Sequence, residues 1–159
     1  MTSTLHRKAV VMDWVLVANA ARARCFVRDA GNNAMRELAS FVHPQARQKG
    51  EALADDRGGH VQKGIVSTQF EPHTDLHAKQ HAQFARELAQ HLEAAGLAHR
   101  YPGLWLIASN PFLGELRAHL GDATLQLLKG SMALDLTTYR GAELEQRVAQ
   151  ALPAPESEP

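Results

Sequence analysis

Along the first third of the chain the apolar positions come in short runs, and further on they recur at helical spacing. Trp14-Val15-Leu16-Val17-Ala18 is an unbroken apolar run with the length of a buried strand. Asn19-Ala20-Ala21 interrupts it, and Ala23-Arg24-Cys25-Phe26-Val27 follows with alternating character. The pattern predicts a buried strand, a tight turn in which Asn tolerates a left-handed backbone, and a half-exposed partner strand. A turn cluster over 29–33 leads to a third short strand over 38–42. His43-Pro44 closes that strand, because proline cannot donate to a sheet ladder.

Residues 43–74 are rich in Gln, Arg, Lys, Asp, Gly and His and show little periodicity. A charged helix over 46–54, a glycine loop over 55–60 and a short strand over 61–66 are the local expectations; long loops in compact domains are usually functional or disordered. A long helix follows from Thr74 or Asp75 to about Ala95, with Ala85, Leu88, Leu92 and Ala95 forming its apolar stripe. Gly96 suits the C′ position, and Pro102 lies beyond the end. Leu104 to Ala108 reads as another buried strand. Asn110 fits an N-cap and Pro111 the first helical position of a helix that ends at Leu120-Gly121. A strand over 124–128 is expected next, then an edge strand or a helix start over 134–136. The last helix runs from Thr137 or Thr138 to Leu152, with Leu144, Val148 and Leu152 facing inward and Glu143 able to pair with Arg147.

Strands come first and then alternate with helices. This is the signature of an α/β fold with a mixed sheet, an antiparallel N-terminal pair continuing into parallel strands. At 159 residues the chain forms one domain, taken as 13–152, after a lead-in over 1–12 that is frayed at Met1 to Lys8. The tail, 153–159, has three prolines and two glutamates and reads as disordered.

Composition narrows the function classes. The single cysteine, Cys25, excludes an internal disulfide and every multi-cysteine zinc pattern, and a reducing cytoplasm is the matching compartment. Inside a strand, Cys25 reads as an inert buried thiol. No apolar run has the length of a membrane span, and Asp13 splits the one stretch that follows a basic start, so no secretion signal is expected. Net charge is zero, but residues 1–63 carry ten Lys and Arg against six Asp and Glu, and 64–159 carry seven against eleven. This asymmetry permits a basic face on the N-terminal half.

Several residue sets bear chemistry. Arg57, Gly58, Gly59, His60 and Lys63 combine cations for phosphates with glycines that let a backbone approach closely. His77 and His81 are one helical turn apart and could share a divalent metal, with His73 or Asp75 as a third ligand, although the same histidines could simply border the core. Ser109-Asn110 at a helix start after a strand is an anion-site candidate, explained equally by a plain cap. The carboxylates, Asp13, Asp29, Asp55, Asp56 and Asp135, do not cluster as a two-metal nuclease requires. There is no Walker loop, dinucleotide fingerprint or nucleophile elbow.

Seven pieces in order carry a family resemblance: WVLVANAARARCF (14–26), FVHPQAR (41–47), DRGGH (56–60), FEPHTD (70–75), HAQFARELAQHL (81–92), LWLIASNPFLGELR (104–117) and LDLT (134–137). Together the chain resembles the host attachment protein family, which is similar to a bacterial release-factor-like domain and to the middle domain of archaeal and eukaryotic peptide-chain release factors. The resemblance implies a ribonuclease-H-like arrangement, a mixed five-stranded sheet with helices on both faces. It also places Gly58-Gly59-His60 where release factors carry Gly-Gly-Gln. His60 replaces the glutamine, so the resemblance implies binding without peptidyl-tRNA hydrolysis. The expected partner is the ribosome or structured RNA, contacted by Arg22, Arg24, Arg57, Gly58, Gly59, His60 and Lys63, with no cofactor. The alternatives are a hydrolase using the 43–74 loop and the histidine-rich helix start, and an indirect role in attachment to host cells.

Overall fold

The computed structural model describes residues 12–43 and 72–153, with residues 72–75 described by their backbone alone. The expectations for Met1 to Lys8, the helix over 46–54, the 55–60 loop, the strand over 61–66 and most of the tail lie outside the described residues.

Five strands form one mixed sheet in the order β3-β2-β1-β4-β5. They are β1 (Met12–Ala18), β2 (Arg22–Asp29), β3 (Met35–Val42), β4 (Leu104–Ala108) and β5 (Leu128–Ala133). β1 pairs antiparallel with β2 and parallel with β4; β2–β3 is antiparallel and β4–β5 parallel. The unbroken apolar run of β1 follows from its central place, since both of its faces are covered. Trp14, Leu16 and Ala18 face the helices α1 (Pro72–Leu97) and α2 (Phe112–His119), where Phe84, Leu88, Leu92, Phe112 and Leu116 fill the larger core. Val15 and Val17 point the other way, packing with Phe26 and Ile107 against Leu144 and Val148 of α4 (Gly141–Ala151). The inward face expected for Leu144, Val148 and Leu152 and the Glu143–Arg147 pair, at 3.3 Å, are both present.

Five local expectations are corrected. The segment from Thr124 begins as a helix, α3 (Asp122–Leu127), and the strand starts later, at Leu128. The cause is a tertiary cap: the Glu93 carboxylate on α1 accepts from Ala123 N (3.2 Å), Thr124 N (2.9 Å) and Thr124 Oγ1 (2.8 Å). The two backbone donors are orphan N–H groups of a helix start, and satisfying them makes a helical turn favourable there. The same bonds hold the Glu93 carboxyl below its ordinary range.

Gly96 lies inside α1. The helix instead ends in a Schellman arrangement, with His99 at φ 56°, Arg100 N donating to Ala95 O (2.9 Å) and His99 N to Gly96 O (3.0 Å). A Cβ on Gly96 would stand 2.9 Å from the Tyr101 hydroxyl, which donates to Leu92 O at 2.8 Å, so this glycine serves packing. Asn110 caps nothing: α2 starts at Phe112, Pro111 is its N-cap residue, and no side chain bonds the helix start. The last helix starts at Gly141, later than expected, and the 134–136 stretch holds neither strand nor helix.

A charged cluster sits at the amino end of β1. Asp13, 5% exposed, accepts from Trp105 Nε1 (3.1 Å) and Lys129 Nζ (3.0 Å). Its partner across the ladder is Arg28, 6% exposed, whose guanidinium donates to Asn33 Oδ1 at 2.6 Å. Burial pulls the Arg28 guanidinium below its ordinary value, and the Asp13 charge opposes that.

Candidate functional site

At the carboxyl ends of β1, β4 and β5 three polar side chains from distant parts of the chain meet. Asn19 closes the β1–β2 turn, its Oδ1 accepting from Ala21 N (2.8 Å) and Arg22 N (3.0 Å). Its amide nitrogen donates to Asp135 Oδ2 (3.0 Å) and Thr137 Oγ1 (3.1 Å). Asp135 Oδ1 in turn accepts from Thr137 N (3.0 Å) and Thr137 Oγ1 (2.6 Å). Burial alone would raise the Asp135 carboxyl. The bonds from Thr137 and Asn19, with the nearby charge of Arg22, outweigh it and hold the carboxyl below its ordinary value. Asp135 is therefore a fixed anion that locks the segment after β5 to the first hairpin.

That lock shapes a basic groove beside it. Arg22 and Arg24 are two apart on β2 and project from one face of the sheet. Arg24 reaches across to the locked segment, donating to Tyr139 O (2.7 Å) and Thr137 O (3.3 Å), with its guanidinium 5.3 Å from the centre of the Phe26 ring. Ser40 and Val42 lie opposite Arg24 and Arg22 on β3. Together with Glu37, Thr137 and Arg140 they enclose a groove of about 210 Å³. Arg22 and Arg140 are exposed, whereas Arg24 is half-buried. Three guanidiniums stand against Glu37 in the lining and Asp135 beside it, which leaves one positive charge in excess, and their planar forks match phosphate oxygens two at a time.

The candidates from sequence separate clearly. Arg22 and Arg24 come together as above. Arg57, Gly58, Gly59, His60 and Lys63 lie outside the described residues. His73 and Asp75 are on α1, but their side chains are not among those described. His77 and His81 share a face with ring centres 6.2 Å apart. Among the described residues no group of three or more His, Cys, Asp or Glu is placed to hold a metal ion. His81 adjoins a different histidine: His43 is buried and stacked on Phe84 at 5.1 Å, and burial, then the His81 charge, lower its pKa. Ser109 is half-buried, with its backbone carbonyl accepting from Leu113 N (2.8 Å), and Asn110 is exposed. Asn19, Asp135, Thr137 and Arg140 are the residues missed as site members. The only signal for three of them was their presence in the runs WVLVANAARARCF and LDLT.

Two comparisons with known proteins bear on this arrangement. The family described as "Protein required for attachment to host cells" matches residues 14–148, which takes in β2 to β5, all but the first two residues of β1 and all but the end of the last helix. An uncharacterized protein of Rickettsia prowazekii (strain Madrid E) is 29% identical over 108 residues, covering 67% of this chain and 68% of the relative. Among the described residues no helix is long and apolar enough to cross a membrane.

Proposed function

The chain belongs to the family of proteins required for attachment to host cells, and from that premise we propose that it is a non-catalytic binding module for structured RNA, in the first place the ribosome. The observation that carries this reading is the groove in which Arg22, Arg24 and Arg140 stand around Ser40 and Thr137. The exposed guanidiniums of Arg22 and Arg140, with the exposed Ser40 hydroxyl beside them, are a set that contacts phosphate and sugar oxygens. The mixed five-stranded sheet with helices on both faces supports a domain of the release-factor middle-domain, ribonuclease-H-like kind. On this reading the effect of the family on attachment is indirect and runs through the synthesis of other proteins.

The test is co-sedimentation of untagged protein with purified ribosomes across a salt series, using wild type, Arg22→Ala and Arg140→Ala. Both arginines are exposed, so the fold tolerates either change. Binding should weaken with salt, and each substitution should lower the slope of log affinity against log salt by roughly one. Absence of binding at low salt, or slopes identical in all three proteins, overturns the proposal.

A further inference from the structure

A second concavity lies on the opposite face of the sheet from the basic groove. It is a cleft of about 520 Å³ lined by Met12, Trp14, Arg36, Leu38, His91 and Arg100, among others. That volume falls within the range of small-molecule sites, about 300–1,000 Å³. The lining includes two cations and no carboxylate. Flat groups dominate its polar part: two guanidinium planes, the His91 imidazole and the Trp14 indole. The rings of Trp14 and His91 lie within 22° of parallel, with centres 6.4 Å apart, and Tyr101 backs the indole at 4.9 Å. Burial, and then the Arg100 charge, lower the His91 pKa, which favours its uncharged ring. Met12 and Leu38, 37% and 38% exposed, supply apolar surface.

We propose that this cleft binds a nucleotide, its base against His91 and the apolar lining and its phosphate drawn by Arg36 and Arg100. A bare anion would leave the apolar lining wet. An aliphatic anion could lie on Met12, Val27, Leu38, Ala39 and Pro102, but the planar groups would go unused. A base carrying phosphate meets both halves, since rings and guanidiniums stack on bases while guanidiniums pair with phosphate. The ligand is either a free nucleoside monophosphate or one nucleotide of a strand. This site shares no residue with the Arg22–Arg24–Arg140 groove, so either proposal can fail without the other.

The experiment is calorimetric titration of the full chain with adenosine monophosphate, adenosine, inorganic phosphate, octanoate and a short oligoadenylate. Tryptophan fluorescence is followed in parallel in a Trp105→Phe variant, where Trp14 is the sole reporter. Saturable binding of adenosine monophosphate is expected, with adenosine and phosphate each much weaker. Arg36→Ala and Arg100→Ala should each weaken binding about tenfold with unchanged melting temperatures. Arg22→Ala should leave it unchanged. Saturation by the monophosphate supports a free ligand, and saturation by the oligomer alone supports a strand. The proposal is overturned if nothing saturates, if phosphate or octanoate binds as well as the nucleotide, or if both arginine variants bind like wild type.

Discussion

Cys25 provides a quantitative test of how tightly the sheet is sealed. The residue sits in β2 with no exposed surface, and burial pushes its thiol from 9.0 up to about 12. In the unfolded chain the thiol titrates near its ordinary value. Between about pH 9 and pH 12 the unfolded state therefore loses a proton that the native state keeps, and stability falls as pH rises. The contribution is fully present below pH 9. Its loss comes to about 1.4 kcal/mol at pH 10 and about 2.7 kcal/mol at pH 11. Cys25→Ala removes the titration at a cost of about 1 kcal/mol for the lost sulfur contacts. Urea unfolding of both proteins, under reductant at pH 8, 9, 10 and 11, isolates the thiol, because every other group titrates alike in the two. Wild type should be the more stable at pH 8, the curves should cross close to pH 10, and the alanine variant should be the more stable at pH 11. Stability curves that stay parallel through pH 11 would refute a sealed thiol.

Other substitutions test the packing and the caps. Leu88→Ala empties a fully buried position between α1 and the sheet and should cost about 2–5 kcal/mol in chemical denaturation; a loss under 1 kcal/mol would mean that α1 is not seated as described. Asp13→Ala strands the buried Arg28 and should cost about 3 kcal/mol, read by thermal melting, whereas a neutral result would dissolve the cluster. Glu93→Gln should lower the melting temperature at neutral pH. Because the Glu93 carboxyl is held low, its contribution is present above its ordinary value and disappears as pH falls through the lowered one, so the two melting temperatures should converge in acid. A difference that persists in acid would refute the carboxylate charge as the source of the cap's strength.

What could be read from the sequence was whatever depended on neighbours in the chain. β1 and β4 are covered on both faces, so their apolar runs marked them to within two residues. The stripe on α1 likewise placed its buried side. Thr124 misled because its helix is capped by Glu93, which lies 31 residues away, and no local pattern encodes that carboxylate. β5 is an edge strand of half-buried and exposed residues, Leu-Lys-Gly-Ser-Met-Ala, with little apolar contrast to betray it. The groove was legible in half: Arg22 and Arg24 were expected as contacts, although the strand was read from Ala23 and it is β2 from Arg22 that puts both on one face. Arg140 and the Asn19–Asp135–Thr137 lock depend on a closure spanning 116 residues, which sequence spacing does not reveal.

The placement of β1 also orders events in time. Its antiparallel partner follows after a tight turn, whereas Trp14 meets Leu104, about ninety residues on, to make the parallel ladder. Short loops close at lower entropic cost, so the β1–β2 hairpin should form early and the β4–β5 half should join it late. Asn19 belongs to both stages, with one side-chain atom bonding the turn and the other the distant Asp135. In a chevron experiment Asp135→Ala should leave the refolding limb nearly unmoved and accelerate unfolding, while Asn19→Ala should slow refolding as well. If both variants shifted only the unfolding limb, the turn would not belong to the early nucleus. The latch at Asp135 thus governs how long the folded molecule lasts, and the turn at Asn19 governs how soon it arrives.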